Sequence, residues 1–224
     1  MLGICMLPAA AQTGPNKLPP SITTTGEAVV TVKPDRAQLD IGVASQAATS
    51  EAAVTDNAQK VTATLAKLHQ VLGSNAEIKT ISYTVSPNYK YPKEGGEPSI
   101  TGYTATNVVR VTLDDLAQVG KAVDAATGSG ANRIQNLRFS IKDEQVVQSQ
   151  ALREAAVKAR QKAEALADAL GLKIQRVLSV TENSQGAVPF REVAFARADA
   201  ASTPIEPGTI EIHASVTYTV EIGG

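Results

Sequence analysis

Few residues in this chain could do acid–base or metal chemistry, and the two histidines come first. His213 lies two residues from Glu211 in an alternating sequence, so both side chains share one face of a predicted strand. There they could bind each other or share a metal ion. Two ligands make a weak metal site, and Glu221 is too far along the strand to supply a third. His69 stands in a predicted helix with no carboxylate nearby in sequence. We therefore interpret both histidines as structural.

Other kinds of reactive site are not indicated. The chain has no Gly-x-Ser-x-Gly motif, which would present a serine nucleophile, and no glycine-rich fingerprint for phosphate. Its one cysteine, Cys5, lies in a predicted processing signal, so direct thiol-based reduction of peroxide is excluded for the mature chain. We predict a protein without catalytic residues, metal or cofactor. A cryptic hydrolase or metal-dependent enzyme is the third and least favoured interpretation.

The remaining candidate residues are aromatic and lie in two long predicted loops, residues 86–99 and 183–208. In the first loop the two tyrosines lie between two prolines, and in the second the phenylalanines stand beside arginines. Tyrosine joins a large apolar area to a polar tip, which suits interface anchors. A solvated, partly ordered segment without a partner is the alternative. The four candidate contacts for an oligomer or a ligand are Tyr89, Tyr91, Phe190 and Phe195.

The elements that position these residues repeat one strand–helix–strand–strand unit. Each copy begins with an alternating strand and continues into an amphipathic or alanine-rich helix that ends in Leu-Gly. The predicted elements are a strand at 39–43, a helix at 50–72 and strands at 78–85 and 103–113, then a strand at 137–141, a helix at 146–170 and strands at 174–180 and 210–222. This order predicts an α+β fold in which long helices pack on one face of antiparallel sheets.

Two local features complete this prediction. Ser50 is the candidate N-cap of the first long helix. A strand at 22–32 precedes the turn Lys33-Pro34-Asp35, and an alternating strand follows, so we expect these two strands to form a hairpin. A shorter helix at 114–128 links the two copies.

Composition excludes several classes of protein. The chain has 224 residues with 43% hydrophobic residues, typical of a globular protein. Lys and Arg total 21 and Asp and Glu total 22, and no basic stripe marks a nucleic-acid or anionic-membrane surface. No stretch approaches the about 20 apolar residues of a transmembrane helix. We expect no nucleic-acid partner and at most a peripheral association with the envelope.

The N-terminus predicts export. Residues 1–11 are apolar and end in Ala9-Ala10-Ala11, which matches the small-residue cleavage pattern of a secretory signal. Because a basic start and most of an apolar core are missing, we interpret these residues as the remnant of a truncated signal peptide. Residues 12–21 form a proline-containing flexible lead-in. The predicted location is the periplasm, and the alternative is a cytosolic protein with a disordered apolar N-terminus.

Four ordered motifs resemble the SIMPL domain (DUF541). The opening signature is Thr25-Gly26-Glu27-Ala28-Val29-Val30-Thr31-Val32-Lys33-Pro34-Asp35-Arg36-Ala37, and the central motif is Ile100-Thr101-Gly102-Tyr103-Thr104-Ala105-Thr106-Asn107. Gly130-Ala131-Asn132 and the alanine-rich helix that ends in Lys-Ala-Glu-x-Leu-Ala-x-x-Leu-Gly match the later blocks. The resembling domain spans residues 22–222, with a first half at about 22–113, the linking helix at about 114–128 and a second half at about 131–222.

The resemblance carries functional expectations that the residues alone do not. The family includes bacterial periplasmic immunogenic proteins and proteins linked to defence against oxidative stress. The resemblance implies an α+β subunit that assembles into a large, channel-like homo-oligomer, and no enzymatic activity is attached to the family. The leading interpretation is therefore a secreted, non-enzymatic, self-assembling protein of the envelope, associated with the outer membrane. A monomeric peptide-binding or ligand-binding module, or a holdase, is the alternative.

Overall fold

A computed structural model of the chain describes residues 19–93, 95–183 and 203–224, together with the backbone of residues 188–190. The predicted signal remnant at 1–11 lies outside the described residues, as does most of the predicted lead-in. The elements are β1 (Ser21–Val32), β2 (Arg36–Ala47), α1 (Ser50–Leu72), β3 (Ala76–Lys90), β4 (Ser99–Leu113), α2 (Val119–Thr127), β5 (Arg133–Ser140), α3 (Glu144–Ala169), β6 (Lys173–Glu182), β7 (Val188–Phe190) and β8 (Thr209–Gly223).

The predicted α+β class is confirmed. One sheet has the strand order β3-β4-β2-β5, and the other has the order β1-β8-β6 with β7 also paired to β8. The strand pairs whose register is defined are antiparallel. The element order β2-α1-β3-β4 returns as β5-α3-β6 followed by β8. No helix within the described residues is long and apolar enough to cross a membrane.

The predicted hairpin between β1 and β2 is wrong, because the two strands belong to different sheets. The turn between them is instead tied to the turn after β5. The backbone N–H of Asp35 donates to the carbonyl of Ser140 at 3.2 Å, and the Asp35 carboxylate accepts from the backbone N–H of Lys142 at 2.6 Å. Both Asp35 bonds therefore hold the turn against the end of β5 rather than closing a hairpin.

The larger compact unit spans residues 29–150 and 186–213, as far as these are described. Its core lies between α1, α2 and the helix-facing side of the sheet, and includes Leu39, Ile41, Leu68, Val111 and Leu113. The N-cap of α1 is Thr49, one residue before the predicted Ser50, and its Oγ1 accepts from the N–H of Ala52 at 3.2 Å.

The smaller unit spans the described parts of residues 1–28, 151–185 and 214–224. Here α3 buries one alanine every four residues: Ala151, Ala155, Ala159, Ala163 and Ala167. A Cβ added to Gly26 of β1 would collide with the carbonyl oxygen of Ala155 and the amide nitrogen of Ala159. Small residues on both elements therefore let the helix backbone lie directly on the strand.

Candidate assembly surface

The hairpin formed by β3 and β4 extends beyond the rest of its sheet. The pairing between β2 and β4 ends at Ala47 and Tyr103, whereas β3 and β4 stay paired as far as Lys90 and Ser99. We call the described residues of 88–102 the hairpin tip. Because β3 runs to Lys90 and β4 starts at Ser99, the predicted loop at 86–99 is wrong at both ends. The chain that joins the strands spans residues 91–98.

Local hydrogen bonds and one glycine shape this tip. The carbonyl of Asn88 accepts from Thr101 Oγ1 at 3.1 Å, and its side-chain Oδ1 accepts from Thr104 Oγ1 at 2.8 Å. Where the hairpin leaves β2, a Cβ at Gly102 would lie 2.8 Å from the carbonyl oxygen of Ala47. Glycine therefore allows β4 to pass close to the end of β2.

The tip presents an exposed aromatic patch. The ring centroids of Tyr89 and Tyr91 lie 6.5 Å apart with their planes tilted by 47°, within the range of favourable aromatic pairs. The two side chains are 50% and 71% exposed, and Ile100, opposite Tyr89 in the ladder, is 50% exposed. A contiguous patch of exposed large apolar side chains indicates an interaction surface. The two tyrosines singled out from the sequence therefore lie together.

The aromatic patch continues along the edge of the sheet. β3 is an edge strand, and its residues 79–86 are all exposed. Tyr83 lies opposite Asn107 and Val85 lies opposite Ala105, and both partners share the face of β4 that carries the core residue Val111. Both apolar side chains thus face the helix side of the sheet, yet they stay half exposed. The absence of charge between Lys79 and Lys90 was the available sequence signal.

Of the two candidate phenylalanines, the structure describes only the backbone of Phe190. Phe190 belongs to β7, whose backbone pairs with β8 so that Phe190 lies opposite Thr209. Its side chain and the whole of Phe195 lie outside the described residues. The predicted loop at 183–208 therefore contains a short strand. After the gap the chain is anchored at Thr203, whose Oγ1 donates to Asp124 at 2.6 Å.

The histidines occupy different settings. His69 is exposed on α1. His213 Nε2 lies 3.3 Å from Glu211 Oε2, so these two side chains contact each other. Glu221 accepts instead from Arg176 Nε at 2.6 Å. Within the described part of the chain, no group of three His, Cys, Asp or Glu side chains is placed to hold a metal ion.

A buried carboxylate also has a structural partner. Asp40 is only 7% exposed and accepts from Arg110 through both oxygens, at 2.7 Å from Nε and 2.9 Å from Nη2. These bonds hold the pKa of Asp40 below its usual value despite the opposing effect of burial. Asp40 lies on β2 and Arg110 lies opposite it on β4. This ion pair therefore links two neighbouring strands of the sheet.

A cleft of about 700 Å³ lies within the smaller unit, between α3 and the strands β6 and β8. Its walls combine charged groups from the helix with apolar side chains from the sheet: Arg160, Glu164, Asp168, Ile174, Val177 and Tyr218. Arg160 Nε lies 2.8 Å from Glu164 Oε1, and this bond raises the pKa of Arg160. The volume falls in the range of ligand-binding pockets.

Comparison with known proteins decides the family. The model of the SIMPL family, described as a protein of unknown function (DUF541), matches residues 22–220. This chain belongs to the SIMPL family. A 26 kDa periplasmic immunogenic protein of Brucella melitensis is 32% identical to this SIMPL chain over 233 residues, which cover 99% of the chain and 93% of that relative. The uncharacterized protein YggE of Escherichia coli K12 is 29% identical over 206 residues, which cover 90% of the chain and 80% of the relative.

Proposed function

We propose that this SIMPL protein is a non-enzymatic protein of the periplasm that assembles into a homo-oligomer. The observation that carries the proposal is the exposed pair of tyrosines at the tip of the β3–β4 hairpin. The name of the periplasmic immunogenic relative supports the location, and the small-residue motif that ends at Ala11 is consistent with it.

The physical argument concerns the cost of exposure. Tyr89, Tyr91 and Ile100 lie at the end of the β3–β4 hairpin, beyond the last residues that pair with β2. Each of these three side chains is at least half exposed. Burying apolar area of this kind releases roughly 25 cal/mol per Å². Identical chains usually bury such surfaces in closed symmetric assemblies. We therefore favour a homo-oligomer, and we propose that this assembly is channel-like.

A part in oxidative or envelope stress would then be indirect. The mature chain that we propose lacks Cys5 and therefore has no thiol to reduce peroxide. Assembly, and a peripheral association with the envelope, would have to supply the protection.

The mass of the mature protein in solution tests the proposal. Light scattering at micromolar concentration should give a multiple of the chain mass, and the variant Y89S/Y91S should give a lower mass with an unchanged circular dichroism spectrum. Val157→Ser is the matched control, because Val157 is equally exposed but lies on α3. A monomeric wild-type protein, or an equal loss of mass in the control, would contradict the proposal.

The cleft beside α3 favours the second candidate, a monomeric module that binds a peptide or another ligand, or a holdase. In that case the wild-type protein would run as a monomer and delay the aggregation of reduced lysozyme. Val177→Asp, which puts a charge on the apolar wall of the cleft, would weaken that protection while leaving Y89S/Y91S fully protective.

A further inference from the structure

On the free edge of β3, residues 82–86 read Ser-Tyr-Thr-Val-Ser, a sequence that is nearly the same in both directions. Thr84 stands at the centre, Tyr83 and Val85 flank it, and a serine closes each end. β3 has β4 on one side and ends the strand order of its sheet on the other. All five residues are exposed. If two such segments paired antiparallel about Thr84, serine would therefore lie opposite serine, and Tyr83 would lie opposite Val85.

This edge lacks most of the features that prevent strands from pairing. Proteins usually protect an exposed edge with charged side chains, prolines or β-bulges. In β3 the charges stop at Lys79 and return at Lys90, and the ladder is irregular between Thr80 and Ser82 and again between Asn88 and Tyr89. Between these irregularities the ladder is regular, and the first proline is Pro87.

Pro87 also indicates which backbone groups are free. A proline has no N–H to donate, and within a sheet its nitrogen lies on the unpaired side of an edge strand. Pro87 lies within the ladder with β4, opposite Tyr103, and because it has no N–H to donate we infer that its nitrogen lies on the side away from β4. Strand alternation then directs the N–H and C=O groups of Val85 and Tyr83 to the same free side.

We propose that β3 pairs antiparallel with β3 of a second copy of this chain, about a twofold axis at Thr84. Tyr83 of each copy lies opposite Val85 of the other, and the two residues exchange both N–H···O=C bonds. Aromatic and β-branched residues form favourable cross-strand pairs, as do two threonines. Thr84 then lies opposite its own equivalent in the second copy. The inference rests on the proposed self-assembly and assigns one of its contacts.

A second copy suits this edge better than a foreign strand does. The segment is neutral, so no charge selects or repels a partner, and its own sequence supplies the complementary side chains in the required order. The same hairpin carries the tyrosine pair of the tip, so strand pairing and tip burial would belong to one continuous surface. A contact in which the same patch serves both copies is the commonest kind in symmetric oligomers.

Cysteine cross-linking in a Cys5→Ser background tests the contact. The Thr84 Cα atoms of two paired copies would lie about 4.5 Å apart, since opposite residues that share no hydrogen bonds have this spacing. That is within the Cα separation of about 4.4–6.8 Å that a disulfide requires. Mild oxidation of Thr84→Cys should therefore shift the band on a non-reducing gel to twice the chain mass.

Ser86→Cys is the matched control on the same strand and face. Its two Cα atoms would lie four residues apart along the paired strands, about 13 Å at about 3.3 Å per residue, which is too far for a disulfide. An equal mixture of Ser82→Cys and Ser86→Cys chains should form the mixed dimer, because these positions lie opposite each other.

The outcomes separate this inference from the proposed function. Cross-linking at Thr84→Cys with none at Ser86→Cys supports the pairing. A wild-type oligomer whose Thr84→Cys variant stays uncrosslinked, or whose Ser86→Cys variant cross-links equally, overturns the pairing and leaves self-assembly standing. A monomeric wild-type chain overturns both. Cross-linking of Thr84→Cys only to an added cysteine-bearing extended peptide would assign the edge to a foreign strand and likewise overturn the pairing.

Discussion

The hydroxyl of Thr24 donates a hydrogen bond of 2.7 Å to the main-chain carbonyl of Ala159. This bond lies where β1 meets α3, two residues before Gly26. Because the threonine side chain is short, its hydroxyl can reach a helix carbonyl only if the backbones of the strand and the helix lie close together. The contact explains why both elements carry small residues at this place.

We expect Gly26→Ala to lower the free energy of unfolding by about 1–3 kcal/mol, the usual cost of overpacking, because its Cβ would meet backbone atoms that cannot rotate away. Urea denaturation monitored by circular dichroism measures the loss. Gly224→Ala is the control, since a Cβ at Gly224 would meet only the side-chain end of Leu172 at 4.0 Å, and it should change stability by less than about 0.5 kcal/mol. Equal effects in the two variants would contradict the packing argument.

A second prediction concerns acid stability and Asp114. Arg36 Nε lies 2.8 Å from Asp114 Oδ1 and Lys142 Nζ lies 2.6 Å from Oδ2. These bonds lower the pKa of Asp114 from 3.8 to about 2. Because the folded state has the lower pKa, the stabilisation is complete above pH 3.8 and is lost as the pH falls from 3.8 through about 2.

Asp114→Asn should therefore be less stable than the wild type at pH 7, and the difference should shrink between pH 4 and pH 2. Urea denaturation across this range measures it. The double variant Arg36→Gln/Lys142→Gln should show the same shrinking difference, because it removes both donors. A difference that stays constant down to pH 2 would show that the network does not carry the pH dependence.

The third prediction is that neither histidine is functional. The pair His213 and Glu211 lacks a third metal ligand among the described residues, and His69 is exposed. His69→Gln/His213→Gln should keep the wild-type circular dichroism spectrum and any stress phenotype of the wild type. Elemental analysis of both proteins is the accompanying measurement. Zinc in the wild type that is lost from a folded double variant would restore the metal-enzyme interpretation.

The fourth prediction concerns export. The motif Ala9-Ala10-Ala11 leads us to expect a mature N-terminus near Gln12. N-terminal sequencing of protein from a periplasmic extract, after expression from the native reading frame, decides this. Protein that keeps Met1 and stays in the cytosolic fraction would contradict it.

Local patterns in the sequence were reliable for the elements themselves. The predicted helix at 50–72 has the observed bounds of α1, and the predicted strand at 210–222 is extended by one residue at each end in β8. Helix and strand periodicities arise from neighbouring residues and are therefore visible in the sequence. The N-cap moved from Ser50 to Thr49 because adjacent residues of similar type can both cap a helix, and only the backbone conformation selects one.

By itself, the sequence determined the α+β class and the repeated element order. It also singled out Tyr89 and Tyr91 as candidate contact residues. Only the tertiary structure decided that β1 pairs with β8 rather than with β2, and that β3 ends its sheet with Tyr83 and Val85 uncovered. The physical reason is that strand pairing joins residues far apart in the chain. Whether an alternating strand is central or at an edge depends on which distant strands are its neighbours, and no local period records that.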